Sequence, residues 1–324
     1  MARDREVNLT DFFKECGLGS QTVHILETEG MYPFNPDFKA NWLYYTLKGY
    51  QFLKETKGFD ESAVKKIACI AAGSGAEVIG LGRLFSNVSH ICMTDIDPDV
   101  VMGCFRNSTM ALLDMNINLH PVLGSLCEPL SGKFDLVNGN VPNLICDDKK
   151  DLSSGNEKGT FVRSNSLPEI MPKEYLKWGL GTQFEYLKGA VDCLTDNGSV
   201  VTIVGGRYPL EITEKLFLDS GLQLMPEFSV GFKWQTQPEP DFEGYAALEK
   251  EHGIEFDFFI YEDALKIMKK NGIENPASNL SGQELKDLFK GIRVSSTEAL
   301  KLYKKGIICG HTVHMFRGKK LEVT

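Results

Sequence analysis

The feature that most constrains this chain is a short apolar run ending in a glycine turn, with an acid at a set distance beyond it. Lys66 to Ala71 reads as a buried strand, Gly73-Ser74-Gly75 as a tight turn, and Glu77 to Phe85 as a helix. Glycines at such a point let the backbone turn sharply and approach a ligand closely. A second strand, His90 to Thr94, then delivers Asp95. An acid about twenty residues past the glycines can accept hydrogen bonds from both hydroxyls of a ribose. Gly-Ser-Gly turns alone are common, and the distance to the acid gives this one its weight.

The alternation continues. Asp99 to Asp114 reads as helix, His120 to Leu123 and Phe134 to Gly139 as strands, and Leu176 to Leu194 as helix. Asp196-Asn197-Gly198 reads as a turn before the strand Ser199 to Val204, and the helix Glu211 to Ser220 is stopped by Gly221. Strands separated by helices predict an α/β fold with a parallel sheet and right-handed crossovers. Residues 1–60 are expected to form a helical cap, with strong apolar periodicity from Ala40 to Leu53. Within it, Tyr32-Pro33-Phe34-Asn35-Pro36-Asp37-Phe38 is either a packed connector or a cover over a pocket.

After the Pro-rich break Gln237-Pro238-Glu239-Pro240-Asp241 the character changes. Ile254 to Tyr261 is an apolar stretch, and Glu262 to Lys270, Leu285 to Phe289 and Thr297 to Lys304 read as helices. Ile307-Ile308-Cys309 and Thr312 to Phe316 read as a final strand. Residues 236–305 are therefore expected to be an insertion before that strand, shaping the substrate pocket or a homodimer contact. The main domain is expected to span 61–318.

Composition excludes several classes. With 42% hydrophobic and 24% charged residues the chain is that of an ordinary soluble globular protein. None of the eight cysteines forms a C-x-x-C pair, so no metal is expected and the thiols read as small buried hydrophobes. A net charge of −9 argues against a nucleic-acid partner. The charged start precedes no long apolar run, so neither a signal peptide nor a membrane span is expected, and a cytoplasmic location is.

The ligand follows from Glu77. A dinucleotide site needs glycines around a pyrophosphate, which a neighbouring carboxylate would repel. S-adenosylmethionine (SAM) carries no phosphate and is favoured over NAD. The expected cofactor residues are Ala71, Ala72, Gly73, Ser74, Gly75, Asp95, Ile96, Ser125, Leu126 and Asn140. Gly124-Ser125 follows the third strand, where a loop can touch an adenine. Asn140-Val141-Pro142-Asn143 closes the fourth at the carboxyl edge, where such sheets bind ligands.

Residues 66–143 resemble SAM-dependent methyltransferases of the protein-glutamine N5 type, in which a Phe-Asp-Leu strand ends in Asn-Pro-Pro-Tyr. Here Phe134-Asp135-Leu136 and Asn140-Val141-Pro142-Asn143 stand in those places, without the second proline and the tyrosine. Trp178 to Phe259 resembles the methyltransferase domain of plant-type methionine S-methyltransferases. The likeness rests on Gly179-Leu180-Gly181, Gly205-Gly206-Arg207, Leu216-Phe217, Gly221, Glu249-Lys250 and Phe256-Asp257-Phe258-Phe259, with His311 near the last strand. Val141-Pro142-Asn143 also fits that family's form of the fourth-strand motif. Cys69, Ala71 and Ser125 depart from it, where the family has an acid, a glycine and an acid.

This resemblance implies a Rossmann-like, seven-stranded class I methyltransferase sheet ending in an antiparallel pair of strands. It implies SAM as cofactor and a small amino-acid-type substrate, L-methionine first. Methyl transfer from a sulfonium is an in-line displacement that mainly demands alignment. A thioether nucleophile has no proton to lose, whereas an amine wants an acceptor nearby. Asn140 and Asn143 are the expected catalytic pair. Arg207 could grip a carboxylate in two-point fashion or form a structural ion pair. Tyr208 could pack on a cation. Asp257 and His311 are further substrate candidates, set against an outward strand residue and a core histidine. The alternatives are an N-methyltransferase on another amino acid or specialised metabolite, a protein-glutamine-type N-methyltransferase, and a cofactor-binding module without catalysis.

Overall fold

Strands that are buried on both faces must be apolar throughout, and Lys66-Ile67-Ala68-Cys69-Ile70 is buried at every residue after the first. In the computed structural model, which describes residues 4–168, 171–235, 240–278 and 280–321, this segment is the centre of the sheet. Its side chains alternate between two cores: Ile67 and Cys69 point to one, Ala68 and Ile70 to the other.

The chain opens with β1 (Arg5–Asn8), α1 (Thr10–Glu15), β2 (His24–Glu27) and α2 (Trp42–Glu55). The alternating half follows as β3 (Lys66–Ile70), α3 (Ala76–Leu84), β4 (His90–Asp95), α4 (Pro98–Ala111), β5 (Asn118–Leu123) and β6 (Phe134–Gly139). An excursion holds β7 (Leu144–Cys146), α5 (Gly155–Thr160), β8 (Phe161–Arg163) and α6 (Lys173–Lys177). The chain returns through α7 (Gly181–Cys193), β9 (Leu194–Gly205), α8 (Leu210–Asp219), β10 (Leu222–Leu224) and β11 (Phe228–Trp234). The last third is α9 (Pro240–His252), β12 (Phe258–Ile260), α10 (Tyr261–Lys270), α11 (Gly282–Phe289), β13 (Arg293–Val294), α12 (Ser296–Lys304) and β14 (Cys309–Lys320).

Five strands run parallel in the order β5-β4-β3-β6-β9. β14 closes them antiparallel to β9, and β11 lies antiparallel on its other edge, since Val313 pairs with both Gly205 and Gly231. That is a mixed α/β sheet of Rossmann-like type. It has ten strands among the described residues rather than the expected seven. The reason is that β9 pairs with only the middle of β14, from Val313 to Gly318, and leaves both of its ends free for other strands. β12 takes over the edge that β9 leaves, pairing at Cys309 and Gly310, and carries β13 beside it. β10 pairs the far end at Lys320.

Other differences have local causes. The expected cap is not all helix: β1 and β2 form an antiparallel pair around α1. The helix expected over 176–194 breaks into α6 and α7 at Gly179, whose φ is +67°. The turn expected at 196–198 is an irregular opening of β9, where pairing jumps from Phe134–Leu194 to Leu136–Ser199. Of the Pro-rich break, Gln237, Pro238 and Glu239 lie outside the described residues. The insertion is fixed by specific polar contacts, within itself and to β11. Glu249 accepts from Phe256 N (2.9 Å), Ser296 N (2.8 Å) and Thr297 N (3.0 Å), so it anchors the start of α12. Phe232 N donates to Pro276 O at 2.8 Å.

Gly231 marks this junction. Its φ is +120°, and a Cβ there would stand 1.5 Å from Pro276 O. Gly272 has φ +71° with nothing within 4 Å of a Cβ. Gly272→Ala should therefore cost about 1 kcal/mol of backbone strain, and Gly231→Ala about 3 kcal/mol or more from strain plus overpacking. Urea unfolding of both variants checks this, and equal losses would show that the Pro276 contact is not tight.

Candidate functional site

Register decides what meets at the carboxyl edge. Ile70 pairs with Thr94 on one side and Gly139 on the other, and Asp95 pairs with Leu123. The residues that leave these strands, Ala71, Ile96, Gly124 and Asn140, therefore emerge side by side. They surround a cavity of about 1210 Å³. Ala71, Ala72, Gly73, Ser74, Asp95, Ile96, Ser125, Leu126, Asn140, Asn143 and Arg207 all line it.

The loop after β3 is held by backbone hydrogen bonds. Ala72 N donates to Thr94 O (2.9 Å) and Gly75 N to Ala72 O (3.0 Å). Asn107 of α4 donates to Ser74 O (2.9 Å). Two non-glycine residues with left-handed φ lie on the cavity wall, Ala71 (54°) and Leu126 (47°). Such strain persists only where surrounding contacts hold it, and it gathers at ligand sites. Gly75 is a correction: it is not on the wall. It precedes α3 with φ +84°, and a Cβ would meet Cys104 O at 2.9 Å, so its role is close packing against α4.

Asp95 is pinned from behind. Its Oδ2 accepts from Gly73 N and its Oδ1 from Asp97 N, both at 3.2 Å. Burial raises its pKa, and these two backbone donors oppose the rise. Ile96 beside it is 73% exposed, an apolar flap at the rim. Across the cavity, Thr94 Oγ1 donates to Leu126 O (3.0 Å) and positions the loop of Ser125 and Leu126. Asn143 turns a buried Oδ1 with no hydrogen-bond partner among the described residues.

Arg207 follows the end of β9 by two residues, at the same edge. It is buried, its Nη2 donates to Tyr245 Oη at 2.8 Å, and its guanidinium lies 4.5 Å from the centre of that ring. Tyr245, from α9 of the insertion, was not expected; no periodicity around Gly244-Tyr245-Ala246 marks it. The remaining substrate candidates fall elsewhere. Tyr208 packs edge-on to Trp178 and Phe256 behind Tyr245, outside the cavity. Asp257 forms ion pairs with Lys286 (2.5 Å) and Arg293, which join α11 and β13. His311 is fully buried under Trp42, with ring centres 5.4 Å apart. Burial first, then the charges of Arg207 and Lys233, hold its pKa well below the usual value, so it is a neutral core histidine.

The front wall comes from two segments distant in sequence. Tyr32, Pro33, Phe34 and Asn35 line the cavity, and Glu27 fixes this loop by accepting from Phe34 N at 2.6 Å. The excursion between β6 and α7 covers the other side with Lys158 and Phe161. The two segments are joined where Gly155 N donates to Glu29 O (3.0 Å), and Lys158 ties the excursion to Asp97 at the start of α4 (2.7 Å).

Glu77, in the first turn of α3, is also on the wall. Burial pushes its pKa from 4.5 to about 7, and only the neighbouring Asn138 amide opposes the shift. Below pH 4.5 the carboxyl is neutral whether folded or unfolded and costs nothing. As pH rises toward 7 the unfolded chain ionises it first, so folding stability is lost over that window. Glu77→Gln should therefore stabilise the ligand-free protein by roughly 3 kcal/mol at pH 8 and leave it nearly unchanged at pH 4. Thermal unfolding at both values checks this, and a pH-independent difference would contradict it.

No helix among the described residues is long and apolar enough to cross a membrane. Among them no group of three or more His, Cys, Asp or Glu side chains could hold a metal ion.

No family model matches the chain, and no curated protein matches it. Solved structures similar to it include a ribosomal protein L11 methylase from Lactobacillus delbrueckii subsp. bulgaricus. That match has a TM-score of 0.38 and 15% identity over 58% of this chain and 73% of the other. A Pyrococcus horikoshii protein assigned as an RNA methyltransferase gives 0.43 and 10% over 92% of each. A Galdieria sulphuraria protein assigned as a sarcosine dimethylglycine methyltransferase gives 0.40 and 11% over 94% and 97%. The strand order and register above, not these scores, carry the fold assignment.

Proposed function

We propose that this chain is a SAM-dependent methyltransferase acting on a small amino-acid-type substrate, with L-methionine to S-methyl-L-methionine as the leading reaction. The observation that carries the reading is that one cavity joins Asp95, with its strained flanking loops, to Arg207 at the end of β9. At about 1210 Å³ it exceeds the usual 300–1,000 Å³ of a single-ligand pocket, leaving room for a nucleoside cofactor and a small second molecule.

The residues present fit that cofactor. Asp95 is a pinned carboxylate with lone pairs left for two ribose hydroxyls. Ile96 and Leu126 offer apolar faces on either side of a planar base. Glu77 disfavours a pyrophosphate at the same turn. When bound, SAM supplies an electrophilic methyl group on a sulfonium. The chain's part is then alignment and exclusion of water. Asn140 and Asn143 present amides where β6 ends, to hold the polar backbone of the acceptor. Arg207, braced by Tyr245, offers its guanidinium to a carboxylate. The loop 32–35 and the excursion carrying Lys158 keep water out.

The partnerless Oδ1 of Asn143 also favours a second reading, in which the acceptor is an amine whose N–H it would bind. Transfer of labelled methyl from SAM to each free amino acid separates the two. The expected product is labelled S-methylmethionine. Arg207→Gln should raise the KM for the amino acid about tenfold or more with little change in SAM affinity. A proportional loss of SAM affinity and thermal stability would instead make Arg207 structural, and label found only on protein would contradict the small-substrate reading.

A further inference from the structure

We propose that Glu77 is the carboxylate that receives the α-ammonium group on the amino-acid tail of the cofactor. This rests on the SAM reading above. The strand order is β4-β3-β6, and Asp95 ends β4 while Asn138 lies in β6. A ligand whose ribose is held at Asp95 and which crosses the end of β3 therefore has its far end over Asn138 and the first turn of α3. Glu77 stands there, on the cavity wall. Its Oε1 is sealed from water and has no hydrogen-bond partner among the described residues. No cationic side chain acts on it: apart from burial, only Asn138 does. Asn138 is itself fixed, because Tyr50 Oη donates to its Oδ1 at 2.6 Å.

The strand end itself offers no alternative acid. Cys69 and Ala71 flank Ile70, and Cys69 is a buried thiol pushed well above its ordinary pKa. A buried, half-satisfied carboxyl without a counter-charge is costly to keep, and a cationic ligand group removes the cost. The helix N-terminus beside it favours the anion further.

The test compares two ligands by calorimetry: SAM, and 5′-methylthioadenosine, which keeps the nucleoside and lacks the amino-acid tail. Glu77→Gln should weaken SAM about tenfold or more and leave methylthioadenosine within about twofold. Retained methylthioadenosine binding also shows that the variant is folded. Asp95→Ala should weaken both ligands alike. An unchanged SAM affinity in Glu77→Gln, or equal losses for both ligands, overturns the assignment of Glu77 while the cofactor reading stands. Wild-type protein that binds neither ligand overturns both.

Discussion

The site depends on the register of β3 between its two neighbours. Backbone hydrogen bonds pair Ile70 with Thr94 and Gly139, so three chain segments leave the sheet at one level. A shift of one residue in either pairing would turn every side chain of that strand into the wrong core, since Ile67 and Cys69 face one side and Ala68 and Ile70 the other. The apolar pattern that builds the core therefore also sets where Ala71, Asp95 and Asn140 stand. The geometry of this edge follows from packing beneath it.

How much of this could be read from the sequence follows the range of the interactions. The run Lys66–Glu77 and the acid at Asp95 are local patterns, and the strands and helices there stand within a few residues of where periodicity puts them. Gly179 and the opening of β9 were hidden because a helix and a strand read alike on either side of them. β10 and β11 form against the distant β14, and β1 and β2 pair with each other across α1. Tyr245 could not be found at all: it reaches Arg207 only because α9 folds back across the end of β9. The same limit explains Tyr208, Asp257 and His311. Their residue types suit a ligand, but Tyr208 and Asp257 are taken up by partners from other elements, and His311 is sealed in the core with its Nδ1 against Thr312 O.

Polar burial in this protein divides into two kinds. Glu249 accepts three backbone donors, and Asp257 has two cationic partners, so both hold the elements of the insertion to one another. Glu77 and Asn143 are different, because each keeps a buried oxygen at the cavity wall without a hydrogen-bond partner among the described residues. Satisfied groups of the first kind rigidify the frame, and unsatisfied ones of the second kind are where a ligand contributes most.

The most direct measurement is calorimetric titration of the protein with SAM and, separately, with NAD. Saturable SAM binding at one site per chain and no NAD binding are expected, because the Glu77 carboxyl, in the first turn of α3 after the glycine turn, disfavours a pyrophosphate. Binding of NAD with none of SAM would contradict this.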